Sequence, residues 1–594
     1  MSKFPWRTLV ALVFSSFLAA CGGGGGDTAA PAAPPPAAIA AAAAKPATRN
    51  EAARFLAQAT FGATDSDVDR VMSLGYAAWI DEQLAMPATS HRAWWEARNA
   101  EITAASTATP PATAGQDQVL ESFWRQALTG PDQLRQRMAY ALSQIMVVSM
   151  VDSSVANDTR SMAAWLDMLN EQGLGNYRQL LEAVSRHPVM GTYLTSLRNQ
   201  KANAKTGRVP DENYAREVMQ LFSIGLVELN DDGSARTGAG GEAIETYTPA
   251  DVSGMARVFT GFSLACGDLS NSCFNAGGVG GVSDPDRGFK PMVGYPQHHS
   301  TEEKRFLSVT IPVQSVAAPE ASLTTALDTL AGHANVGPFI GRQLIQRLVT
   351  SNPSPAYITA VARAFANNGQ GVRGDMKAVL KAVLMHPEAR VVSDTSGKVR
   401  EPVLRLSAFM RAFPHKSDTG SFKVGNTDNP GTALGQTPLR AASVFNFYRP
   451  GFVAPGTGAA ARGLVTPELQ LASETTAAGW TNFMRDNISS GVGQFNGTVG
   501  GVVLNRRDLQ ADYSGELALA ADAPPLVARV ADKLAYGNVG SALQADIAAA
   551  VTSIAIPALN AKASNQAQID AAKRNRVNAA ILLVLASPEF QVQK

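Results

Sequence analysis

Asn213, Arg216, Glu217 and Gln220 recur three and four residues apart within PDENYAREVMQLFSIGLVELN, residues Pro210–Asn230. On a helix those positions share one face, so an amide, a guanidinium and a carboxylate would be presented together. Arg216 is then a fork for an anionic group, and Glu217 a base or an orienting carboxylate. Glu212 and Arg216 form an i,i+4 pair with the acid first, the better order. Tyr214, Val218, Leu221 and Phe222 repeat at helical spacing as an apolar face. Pro210 suits the first helical position, Asp211 and Glu212 the positive end of the dipole, and Gly225 the stop. The same pattern also describes a capped helix whose ion pairs only brace its neighbours. Arg257, in MARVFTG, is placed to pair with Glu217 under either reading.

The histidines give a second set of candidates. His298 and His299 adjoin Asp284, Asp286, Glu302 and Glu303 in a Gly- and Pro-rich stretch. Imidazoles with carboxylates are transition-metal ligands, but this spacing matches no tight template, and neither a metal nor any other cofactor is assigned. His187 and His386 each precede Pro at a helix end, where a His cation is favoured without any function. His333 follows Gly332 at the start of another helical pattern. Asn230–Ser234 with Glu242 lacks EF-hand spacing and reads as a turn. Gly-x-Ser-x-Gly, His-Glu-x-x-His, Cys-x-x-Cys and the Walker loop are all missing, which removes the simplest routes to a hydrolase, zincin, redox protein or nucleotidase.

The elements that would position these residues are mostly helices. Thr48-Arg49-Asn50-Glu51 is a capping box, and Thr64-Asp65-Ser66-Asp67 a second cap. Helical periodicity then runs through most of the chain, with strand signals only at Phe306–Val313 and Gly500–Leu504. The fold class expected is mainly α: two closely packed helical regions, about 48–260 and 320–594, joined by an irregular 261–319. Gly261–Pro312 and Ser417–Gly451 are expected to line a cleft, since long irregular segments in compact domains are usually functional or disordered. LLEAVSRHPVM, VLKAVLMHPEA and ILLVLASPEFQ repeat a helix stop at His-Pro or Ser-Pro. Trp94 and Trp95 cannot both face inward from one helix.

The first 20 residues read as an export signal: Lys3 and Arg7, then the short apolar run Leu9–Leu18. Leu18-Ala19-Ala20-Cys21 resembles a bacterial lipobox, which implies lipidation at Cys21 and a membrane anchor. Gly22 rather than Asp follows Cys21, so outer-membrane delivery is expected. The 21–47 segment, rich in Gly, Ala and Pro, is a tether. Taking Lys3 and Arg7 from the 51 basic residues leaves 49 against 50 acids, a balance with no electrostatic footprint for nucleic acid. Cys266 and Cys273 are expected to form a disulfide closing a small loop.

HPVMGTYL, DENYAREVMQLFSIGL, YTPADVSGMARVFTGF, SVFNFYRPG and LASPEFQVQ together resemble the bacterial exported family catalogued as domain of unknown function 1800, over about residues 49–594. The run Glu212-Asn213-Tyr214-Ala215-Arg216-Glu217 is its most specific part. The resemblance departs at His298-His299, where the family has His-Asp, and at His333-Ala334, where it has His-Pro. It carries no activity. It implies an exported partner of the family catalogued as domain of unknown function 1501. The resulting expectation is an outer-membrane-anchored binding or assembly protein of the envelope. The alternative is a hydrolase or lyase acting on an envelope or extracellular polymer, with Glu217, Arg216 and His333 catalytic and Glu212, Asn213, Tyr214, Arg257 and His299 holding ligand.

Overall fold

Helix caps set the architecture at the first folded residues. Thr48 Oγ1 accepts the Glu51 N–H at 3.2 Å and opens the Arg49–Ala59 helix; Thr64 does the same for Asp65–Leu74, accepting from Asp67 N at 3.1 Å. Each hydroxyl satisfies an amide that the helix itself leaves unpaired. The computed structural model describes residues 45–279, 282–393, 396–499 and 502–594. The signal segment, Cys21 and the tether up to residue 44 lie outside the described residues, as do Gly500 and Gly501 at the start of the second expected strand.

The protein is mainly α with little strand: 25 helices among the described residues, and small antiparallel sheets. One hydrophobic core runs from Ala52 to Phe590 and takes in every long helix. Residues 42–594 are one compact unit. No helix among the described residues is long and apolar enough to cross a membrane.

Expected strand positions are met only in part. Lys304–Phe306 pairs with Val309–Ile311 across Leu307 and Ser308, at φ 49° and 67°, the two positive φ values that a tight hairpin turn requires. Val492–Val499 and Val502–Ala511 form a longer hairpin that reaches His415–Ser417. Val492–Val499 follows the Glu474–Ser490 helix with only Gly491 between them, and its own Gly493 and Gly497 interrupt the alternation by which a strand is read. The last strand, Val592–Gln593, pairs with Lys398–Val399 and pins the carboxyl terminus to the middle of the chain.

The repeated His-Pro and Ser-Pro sites are restarts as well as stops. His187, His386 and Ser587 turn their side chains onto the N–H groups of Val189, Glu388 and Phe590, with Pro188, Pro387 and Pro588 beginning the next short helix. An imidazole that accepts such a bond is neutral at that nitrogen. Burial pulls His187 down to about 3 and lowers His386 as well. The cationic role available to a His at a helix end is therefore not used at these two sites.

Trp95 is buried and donates to Thr159 Oγ1 at 3.1 Å, whereas Trp94 lies half-buried under Arg125. Cys266 and Cys273 are bonded, their Cα atoms 5.8 Å apart, and Phe274 and Tyr295 pack beside Cys273 as a separate small core.

The Pro249–Val258 helix lies so close to the Lys304–Phe306 strand that a Cβ on Gly254 would fall 1.7 Å from the Arg305 carbonyl oxygen. Gly254→Ala must push a strand away and is expected to lower stability by about 1–3 kcal/mol or more. Gly332→Ala, whose Cβ would meet open space at a helix end, is expected to be neutral or slightly stabilising. Urea melts of the two variants check the contrast.

Candidate functional site

The Asn213–Gln220 helix begins three residues after Pro210, with Glu212 as its N-cap. Asp211 accepts the Asn213 N–H at 2.8 Å and is not itself helical. Beyond Gln220 the chain winds through a widened turn: Ile224 and Gly225 both donate to Met219 O, and Gly225 takes φ 73°. This is a Gly-terminated end of the kind the sequence indicated.

The polar face does not converge on one point. Arg216 and Glu212 pair at 3.4 Å on the surface, each more than two-fifths exposed. Glu212 also accepts from Ser253 at 2.5 Å, and Asn213 reaches Thr195 at 3.4 Å. Tyr214 is buried, donates to Ser185 Oγ at 2.7 Å and meets Phe259 edge-on, so it is core. Arg257 faces Glu302 at 3.1 Å and donates to Glu303 O, not to Glu217.

Glu217 is 7 % exposed and its Oε2 has no partner. Burial raises its carboxyl above the ordinary value, and the Arg216 charge opposes this without cancelling it. Its charge also acts on the Tyr193 and Tyr247 phenols, which burial raises first.

The histidines are held apart. His299 is fully buried, its Nδ1 donating to Thr260 O at 2.7 Å and its Nε2 accepting from Ser322 at 3.1 Å; burial pulls it down to about 4. His298 stacks on Phe274 and bonds Asn271 Oδ1 at 2.9 Å. With both nitrogens of His299 engaged, the pair does not form a chelate. His333 Nδ1 accepts from the Asn335 N–H at 3.1 Å, the same short-range cap seen at His187 and His386, here without a proline.

Asn335 leads to the cavity. It is 2 % exposed and fastens the segment after the Asn213–Gln220 helix: its Nδ2 donates to Ile224 O at 2.8 Å and Val227 O at 2.7 Å, and its Oδ1 accepts from Leu229 N at 2.9 Å. That segment forms one wall of a cavity of about 390 Å³. The Val336–Leu348 helix supplies Phe339, Arg342, Gln343, Gln346 and Arg347. The SVFNFYRPG stretch supplies Val444, Phe445, Arg449, Pro450 and Gly451, and Gln144 and Ile145 close the floor. Two of the stretches singled out in the sequence thus meet here through Gln220, Leu221 and Gly225 on one side and Val444–Gly451 on the other. The irregular 261–312 segment lines no part of it. Glu212, Asn213, Tyr214, Arg216, Glu217, Arg257, His299 and His333 do not line it either.

The lining has an uneven chemistry: three arginines, four glutamines, apolar side chains, and no carboxylate or imidazole. Gln343 Nε2, Gln346 Oε1 and Arg347 Nε have no partner, on residues only 8 %, 3 % and 4 % exposed. Such orphaned polar atoms are costly in a dry interior and are what a bound polar group would satisfy. The cavity volume lies in the range of small-molecule sites. Sequence periodicity places Arg342, Gln343, Gln346 and Arg347 on a helix, but nothing local distinguishes a cavity-facing Gln from a solvated one.

Glu217 gives a pH test with a definite sign. A carboxyl raised on folding binds more protons in the folded state, so its ionisation costs stability above the folded pKa and the cost vanishes below the unfolded one. Glu217→Gln is expected to match or exceed the wild type in denaturant melts at pH 7, and to lose that advantage by pH 4. A Gln variant much less stable at pH 7 would mean that the ionised carboxylate holds the helix in place.

The chain matches the family model described as protein of unknown function (DUF1800) over residues 54–592. No curated protein and no solved structure matches it. With the model covering nearly the whole chain, motif and cavity together, the protein belongs to the DUF1800 family.

Proposed function

We propose that this protein is a ligand-binding protein of the bacterial cell envelope, with the Arg342–Arg449 cavity as its binding site. The observation that carries the reading is the cavity's set of buried, unpartnered polar atoms inside an otherwise apolar lining. Apolar walls with a few fixed polar groups are the usual make-up of a small-molecule site. Binding is favoured over chemistry at this place because the lining offers no nucleophile, imidazole or carboxylate. The second reading, a hydrolase or lyase on an envelope polymer, is supported by the raised carboxyl of Glu217, since such shifts cluster at functional sites.

The envelope location rests on the Lys3–Cys21 signal and the lipobox. Acylation at Cys21 would hold the protein at the outer membrane, with the 21–47 tether between anchor and fold. An exported partner of the family catalogued as domain of unknown function 1501 belongs to the same proposal. Cys21→Ser is expected to move the protein from the membrane to the soluble fraction; unchanged membrane association would refute the anchor.

Gly451 is the handle on the cavity, because a Cβ placed there meets open space. Gly451→Phe is expected to fill the site at unchanged thermal stability. Mass spectrometry of protein extracted from its own envelope should then find a small molecule on the wild type and not on the variant. An empty wild type that also excludes both N-phenyl-1-naphthylamine and 1-anilinonaphthalene-8-sulfonate would refute the binding reading.

A further inference from the structure

The cavity's charges are not balanced by the protein. Arg342 is half-buried and has neither a hydrogen bond nor an ion pair among the described residues; burial alone lowers its pKa. Arg449 is exposed at the mouth, where its guanidinium lies 4.9 Å over the Phe445 ring and meets no carboxylate among the described residues. Among the described residues the Arg347 side chain donates only to the Gln144 carbonyl. At and behind this wall the cations Arg137, Arg347, Lys398 and Arg405 face, among the described residues, two buried acids, Glu401 and Glu468. Two cations are therefore left over even before Arg342 and Arg449 are added. Buried charge without a counter-charge is unfavourable, and low-dielectric walls focus the resulting field into the opening.

We infer, resting on the reading of this cavity as a binding site, that its ligand is an anion-headed apolar molecule: a carboxylate or phosphate ester on a hydrocarbon or aromatic body. The head sits against Arg342 and Arg449, which offer forked donors to such a group. Gln343 Nε2 and Arg347 Nε, both unpartnered, are further donors in the wall. The body lies along Ile145, Leu229, Phe339 and Val444. Leu226, 57 % exposed on the same rim, extends the apolar path to solvent. A cationic or purely apolar ligand would leave the guanidinium groups uncompensated.

Two probes with nearly the same aromatic body separate charge from hydrophobicity. 1-Anilinonaphthalene-8-sulfonate carries an anion and N-phenyl-1-naphthylamine does not. Fluorescence titration of the full chain is expected to give roughly tenfold or greater preference for the sulfonate. Arg342→Gln and Arg449→Gln should each reduce that preference, Arg342→Lys should retain part of it, and Gly451→Phe should abolish binding of both probes. Arg449 is exposed, so its variant carries the test should Arg342→Gln fail to fold. Displacement by lauric acid at lower concentration than by dodecyl phosphate assigns a carboxylate head, and the reverse a phosphate; dodecanol should displace weakly. Equal affinity for the two probes, or a preference unchanged in Arg342→Gln/Arg449→Gln, overturns the anionic head while leaving the cavity a binding site. Failure of both probes to bind the wild type overturns both.

Discussion

A single carbonyl near the end of the Val336–Leu348 helix ties the chain together. Arg347 O receives Arg137 Nη2 at 2.7 Å and Lys398 Nζ at 2.8 Å, both fully buried. The last carbonyls of a helix have no partner within it and carry its negative pole, so two cations at this point satisfy both a hydrogen bond and a dipole. The next carbonyl, Leu348 O, takes Gln593 Nε2 at 2.8 Å. One helix end thereby gathers residues from the first third, the middle and the last two positions of the chain. Lys398 in turn pairs with buried Glu468 at 2.9 Å, and Glu401 accepts from Gln144 and Gln436, both at 2.6 Å. Removing one partner from such a cluster strands a buried charge, at on the order of 3–5 kcal/mol.

This junction also decides what the cavity is made of. Arg347 faces the cavity with its side chain and the junction with its carbonyl. Gln144 takes Arg347 on its carbonyl, Glu401 on its amide, and lines the floor. On the opposite side Asn335 holds the 224–229 wall, and His333 holds the Asn335 N–H. Arg373 steadies His333 by donating to its carbonyl at 2.7 Å. His333 thus contributes to the site as a brace, two residues removed from the surface that a ligand would touch.

How much of this was legible in the sequence varies with the range of the interaction. Thr48 and Thr64 announce their helices because a cap is a contact across three residues. Gly225 announces the turn for the same reason. Composition singles out the exposed Arg216 pair on Pro210–Asn230, whereas the part of that stretch that lines the cavity is Gln220, Leu221 and the loop beyond. Arg257 looked free for Glu217 because its true partner, Glu302, stands 45 residues away across the irregular segment. The cavity itself was illegible, since its charge is set by which acids fail to approach Arg342 and Arg449, and no local pattern records an absence.

The cavity's walls come from residues near 144, 220–233, 336–347 and 444–451, so no single local segment contains it. It comes into being only when those four regions have packed together, and any occupant would stabilise that packing rather than one loop. At a hundredfold excess over its dissociation constant such an occupant adds about 2.7 kcal/mol to the unfolding free energy, a sizeable part of what an ordinary domain possesses. A bound molecule would in that sense be a thermodynamic component of the fold, and the melting temperature of the intact chain would become a gauge of how much of it is bound.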